Sequence, residues 1–358
     1  MVYTYFIFNA ILFFAVFFSF LYENVKAYGI RIILILSVFF IIWIPASIRY
    51  GVGTDYFSYL GIFENVKLGA ITTEFGYYLI NFFVYKTGLN EQFIFAISSF
   101  IVCFNFFRSL DRSYIWLTVL VFLCTFYLPS LSLVRQAIAV SFAGLAVYSI
   151  LNSKEYKFLI FILIGCFFHY SIIILIPFYF VRNIKLSPKF LLAVTIFGCI
   201  ILMSSNFLIN IMDSSLLGNT KYGYYATSKF NTEAEIGSGL GVVMKLLLPA
   251  FAIISAKNLV KLNPKTNIVL MLSVAAIVAN VASMKIHIFN RVADIFIFLP
   301  YILTPLLIRQ FSLRANRVIL SVLLSLLFLV FFERTIYTNL TKNNSGLGIN
   351  PYVTIFNR

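Results

Sequence analysis

The chain has 358 residues, 61% of them hydrophobic and only 11% charged, with a formal net charge of +15 and a mean hydropathy of +0.97. That is too little charge to cover a soluble domain of this size, and the apolar runs do not alternate as β-barrel strands do. The composition therefore specifies an all-α polytopic transmembrane bundle, with the excess Lys and Arg marking cytoplasmic loops rather than nucleic-acid binding.

The first apolar run, 2–22, has neither a basic leader nor a small-residue cleavage site, and it reads as a retained helix. Further spans are expected over 30–48, 91–108, 113–129, 135–151, 188–211, 241–257, 266–283, 288–308 and 317–333, giving about 10 in all. Two segments fit less simply. Residues 75–90, "FGYYLINFFVYKTGLN", are short, aromatic and interrupted by Lys86 and Gly88, as an interfacial helix would be. Residues 156–182 are too long for one span, are basic at both ends and carry His169 at the middle. They read as a broken, re-entrant hairpin with His169 near its apex.

With that arrangement the inside loops are 23–31, 108–112, 152–157, 182–189, 257–265 and 309–317. They hold 15 of the 27 Lys/Arg but only three of the 12 acids. The asymmetry obeys the positive-inside rule and places both termini outside. One integral membrane domain, 1–358, is expected. Loops 49–74 and 212–240 and the tail 334–358 then share its external face. The four cysteines lie singly in apolar runs and indicate neither disulfides nor a zinc site.

The informative residues are charges placed against membrane rules. Arg49, Arg135 and Arg291 fall at one external level on different helices, with Lys245 at similar depth. Around one cavity they would form an anion site, since the planar guanidinium binds phosphate bidentately and keeps its charge. Snorkelling to headgroups is the plainer alternative for each arginine, and an ion pair with Asp294 is the plainer one for Arg291. His169 is either a packed core histidine or a titrating group in contact with external water. Tyr56, Tyr59, Tyr222 and Tyr224 suit stacking on sugar rings, and equally an interfacial aromatic girdle. No Walker A loop, GxGxxG or DxD pair occurs, so no nucleotide or metal cofactor is expected.

In order along the chain, "RYGVGTDYFSY", "EFGYYLIN", "VRQAIAV", "FFHYSIIILIPFY", "NRVADIFIFLP" and "NPYVTIF" resemble the EpsG/Wzy family of membrane polysaccharide polymerases. The resemblance runs from about residue 49 to the C-terminus. It implies a GT-C-like, inner-membrane glycosyltransferase that joins undecaprenyl-pyrophosphate-linked repeat units into O-antigen, capsule or exopolysaccharide on the periplasmic side. It also implies a chain-length determinant protein as partner. In such a reaction Arg49, Arg135, Arg291 and Lys245 would face the pyrophosphate. Asp55, Glu74 or His169 would take the acceptor's proton. Two other classes compete. A flippase would need charges along a through-path, whereas these gather externally. A glycan acyltransferase would rest on His169 alone.

Overall fold

The computed structural model describes residues 2–111, 113–184, 186–204, 240–285, 289–341 and 346–357. Helices dominate. In chain order the α-helices of more than four residues are α1 Val2–Asn24, α2 Tyr28–Ile48, α3 Tyr56–Lys67, α4 Phe75–Lys86, α5 Gln92–Arg108, α6 Ile115–Phe122, α7 Val134–Leu151, α8 Tyr156–Cys166, α9 Pro188–Ser204, α10 Leu240–Ile254, α11 Ala256–Leu262, α12 Asn267–Lys285, α13 Leu299–Arg309 and α14 Arg314–Thr341. A short antiparallel pair joins β1 Arg49–Tyr50 to β2 Val353–Thr354, with Arg49 opposite Thr354. The chain divides into two compact units, Met1–Ile176 with Pro300–Arg358, and Pro177–Leu299.

Five described helices are long and apolar enough to cross a membrane, namely α1, α2, α7, α12 with the turn before it, and α14. Two bent pairs raise the count to seven. The protein is a multi-pass helical membrane protein. Several of the remaining expected spans are apolar but shorter, as in Gln92–Arg108 and Pro188–Met203. Within the expected span 113–129 the helix starts at Ile115 and widens into a π-helical stretch at Leu123–Tyr127, just before Pro129. Proline contributes no N–H to the helical ladder, and π turns accommodate such interruptions.

In the first unit α7 is the core. It is buried over 78% of its length, against 33% or less for α1, α2 and α14. Among its buried positions are several small ones: Ala137, Ala139, Ser141, Ala143, Gly144 and Ala146. Small residues let helix backbones approach closely within a membrane, and α5 and α8 both pack against it. At the α8 contact, a Cβ on Gly165 would lie 3.2 Å from the Ala139 carbonyl oxygen. In the second unit α12 plays the same part, packed by α9 and α10.

The end of α2 accounts for the tail. A helix leaves its last four carbonyls without intrahelical partners, and inside a membrane protein each must be satisfied. Here the Tyr352 hydroxyl donates to the Pro45 carbonyl (2.8 Å) and the Arg49 guanidinium to that of Ala46. The Gln92 side-chain amide donates to Ser47 (2.5 Å), and the Ile355 N–H to Ile48 (2.9 Å). Two of the four donors come from the C-terminal segment. α14 runs past its expected end at 333 to Thr341, and residues 346–357 return onto the segment after α2 rather than hanging free. There the Gly53 N–H donates to the Gly348 carbonyl (2.8 Å), and the Ser132 hydroxyl donates to that of Leu347 (2.6 Å). Gly53 has φ +106°, and a Cβ on it would sit 2.3 Å from the Leu131 carbonyl oxygen, so only glycine fits.

At the other end of this unit, the Glu23 carboxylate accepts the Trp116 N–H (3.2 Å) at the start of α6, where a helix N-terminus favours negative charge. Arg309 pairs with Asp111 at 2.6 Å. These contacts join segments that the charge pattern assigns to the inside, and those of the tail join segments assigned to the outside.

Candidate functional site

Three of the motif segments meet in the first unit. Glu74 is the residue before α4, Arg135 lies in the first turn of α7, and His169 follows the end of α8. α8 stops at Cys166, His169 is extended (φ −159°, ψ 116°), and a 3₁₀ turn follows over Tyr170–Leu175. The break expected around His169 is therefore present, and Ile172 folds back towards Gly165.

Glu74 is the centre of the group. Its Oε2 accepts from Arg135 Nη1 at 2.5 Å, and its Oε1 lies 3.1 Å from His169 Nδ1. Thr73 braces the pair, receiving a hydrogen bond from Arg135 Nη1 and donating one to Glu74 Oε2, each 3.1 Å. A cation in the first turn of a helix opposes the helix dipole, and the facing carboxylate offsets that cost for Arg135. The Glu74 side chain is only 11% exposed, whereas Arg135 and His169 are 31% and 27% exposed. Burial alone would raise the Glu74 carboxyl. The His169 hydrogen bond and the Arg135 charge outweigh it and hold the carboxyl at about 2. An ionised carboxylate can only accept, so His169 Nδ1 carries the proton of this hydrogen bond and Nε2 is the ring's other functional atom.

Gly76 sets the spacing. Its N–H donates to the Phe167 carbonyl at 2.7 Å, which ties α4 two residues past Glu74 to the turn two residues before His169. The rings of Phe75 and Phe167 pack at 6.1 Å across the same contact.

The remaining residues expected at the site divide. Asp55 begins α3, accepts a hydrogen bond from Thr54 Oγ1 (3.3 Å) and lies one turn before Tyr59. Tyr59 is buried, with its ring edge-on to Tyr77 at 5.5 Å and its hydroxyl within hydrogen-bonding reach of Arg135. Burial pushes that hydroxyl up, against the pull of Arg135. Tyr59 therefore supports Arg135 and presents no face to a sugar. Tyr56 is likewise interior, stacked on Phe95 at 4.3 Å and donating to Gln92 Oε1 at 3.0 Å.

Arg49 is not placed to bind phosphate. It is 2% exposed. Its acceptors are backbone carbonyls, those of Ala46, Val52 (3.2 Å) and Leu131 (3.2 Å), and the guanidinium lies over the Phe95 ring. Lys245 and Arg291 belong to the second unit. Lys245 reaches Asp294 at 4.0 Å, and Arg291 also acts on Asp294. Two cations thus share one carboxylate there. Tyr222 and Tyr224 lie outside the described residues.

Sequence reasoning missed Thr73 and Gly76, although both flank Glu74 in "TTEFGYY". Among the described residues, no group of three or more His, Cys, Asp or Glu is arranged to hold a metal ion.

Comparison with curated proteins gives no match, and comparison with solved structures gives none. The EpsG family profile matches residues 32–354. That range contains Glu74, Arg135, His169 and the returning tail up to β2, and on this match over nearly the whole length the chain belongs to the EpsG family.

Proposed function

We propose that this protein is a membrane polysaccharide polymerase. It transfers a growing glycan from undecaprenyl pyrophosphate to a hydroxyl of the next lipid-linked repeat unit, on the external face of the bacterial inner membrane, and builds an O-antigen or related surface polysaccharide. Family membership supports the polymerase class. The observation that carries the chemistry is the hydrogen-bonded chain from Arg135 through Glu74 to His169.

In this reading His169 is the proton acceptor. Glu74, held ionised and already accepting from three side chains, is a poor base but a good orienter, because it fixes Nδ1–H and leaves Nε2 as the free ring nitrogen. The acceptor hydroxyl attacks the anomeric carbon and gives its proton to Nε2. A new C–O bond forms, and the anomeric C–O bond to the pyrophosphate breaks with its electron pair leaving on phosphate. Arg135 presents its partly exposed guanidinium to that growing charge. Asp55 accepts a hydrogen bond from a sugar hydroxyl. A chain-length determinant protein is the proposed partner.

The test is a gel of surface polysaccharide from a deletion strain complemented with wild type or with His169→Ala. A core bearing one repeat unit, without a ladder, is expected of the variant. A full wild-type ladder, with the variant present in the membrane, would falsify the assignment.

A further inference from the structure

We infer that Gly76 is a positioning residue for the Glu74–His169 pair. The inference rests on the reading of His169 as proton acceptor. Gly76 touches neither reacting group nor substrate, and its effect passes through the backbone. Its N–H is bonded to the Phe167 carbonyl at 2.7 Å. A Cβ built on Gly76 would lie 2.9 Å from that oxygen, 3.1 Å from its carbonyl carbon and 3.1 Å from the Phe167 Cβ. These are main-chain atoms and the root of a side chain, so no rotamer change relieves the contact. The first turn of α4 would have to move away from the 167–169 turn.

Glu74 and His169 stand two residues on either side of this contact, and their own hydrogen bond is already 3.1 Å long. A retreat of a few tenths of an ångström at Gly76 therefore separates the carboxylate from Nδ1. The Arg135–Glu74 bond is spared, because Arg135 holds the other carboxylate oxygen from α7, which carries neither Gly76 nor Phe167. The imidazole then loses the partner that fixes its orientation, and a displacement of this kind costs rate rather than substrate affinity.

The experiment uses the full chain in detergent with a lipid-linked repeat unit as substrate, comparing wild type, Gly76→Ala, Glu74→Gln, the double variant and His169→Ala. Gly76→Ala is expected to lower kcat by about 10- to 100-fold with KM within about twofold. It should cost nothing further in the Glu74→Gln background, since the pair it positions is then already broken. If Gly76→Ala retains the wild-type rate while His169→Ala is dead, the inference fails and the function stands. If His169→Ala is fully active, the function itself fails. Equal losses in both backgrounds would also overturn the inference, by making Gly76 a general packing residue. Should Gly76→Ala not fold, Phe167→Gly loosens the same contact from the other side by removing the ring that packs on Phe75. A lower kcat that disappears in the Glu74→Gln background is expected, and an equal loss in both backgrounds overturns the proposal.

Discussion

Arg49 and Arg135 carry the same group at the ends of apolar helices in the same unit, and they are used in opposite ways. Arg49 spends its donors on three carbonyls and is sealed from solvent. Arg135 spends them on a carboxylate and a hydroxyl at a partly exposed position. One arginine closes the backbone of α2 and of the Leu131 turn. The other holds a titratable chain that ends in a histidine. The lesson is that an arginine near a membrane surface is identified by its acceptors rather than by its depth. Backbone acceptors are fixed features of the fold, and side-chain acceptors can exchange with a substrate.

Substitution separates the two most sharply at Arg49. Arg49→Ala leaves buried carbonyls of Ala46, Val52 and Leu131 unpaired, and each buried acceptor left without a donor costs about 1–3 kcal/mol. The expected outcome is loss of monodisperse protein after detergent extraction, and a normal yield would dissolve the comparison. Next in size, His169→Ala should leave thermal stability within a degree or two of wild type while slowing polymerisation by about 10²- to 10⁴-fold. Loss of folded protein from this variant would move His169 to the structural side with Arg49.

Much of this was legible in the sequence, and the reasons differ by residue. The break at His169 was legible because 156–182 exceeds one span and is basic at both ends. Glu74, Arg135 and His169 stood out as polar groups beside apolar runs. The role of Arg49 was hidden because its partners are carbonyls, one of them 82 positions away, and a carbonyl has no residue-type signature. The tail was hidden for the same reason: a polar segment gives no sign of which carbonyls it will cap. The tyrosines of α3 were more readable than their assignment to sugar allowed. Tyr56, Tyr59, Phe63 and Val66 are its buried positions, and their i, i+3, i+7, i+10 spacing is that of a packed helix face.

A smaller effect tests the guanidinium of Arg135 itself. Arg135→Lys keeps the charge but not the planar fork that meets Thr73 and Glu74 together. A loss of about tenfold in rate is expected, against 10²- to 10³-fold for Arg135→Ala by analogy with removal of an oxyanion donor. Equal rates for Lys and Arg would mean that a point charge suffices there.

The smallest effect lies in stability against pH, and its sign follows from Glu74. Burial works against ionisation of this carboxyl, but the hydrogen bond with His169 and the charge of Arg135 bring it down from the ordinary 4.5 to about 2. A carboxyl depressed by folding contributes stability that is fully present above about 4.5 and is lost as the pH falls towards 2. Glu74→Gln cannot titrate, so it lacks this contribution at every pH. Melting temperatures followed from pH 7 downward should show a gap between wild type and Glu74→Gln that is constant above about pH 5 and narrows below it. The other acids titrate in both proteins and cancel in the difference. Arg49→Lys, measured alongside if it folds, should keep its own gap through the same range, because its carbonyl acceptors do not titrate. A gap that narrows equally for both would remove the distinction between the sealed arginine and the one that holds the titratable chain.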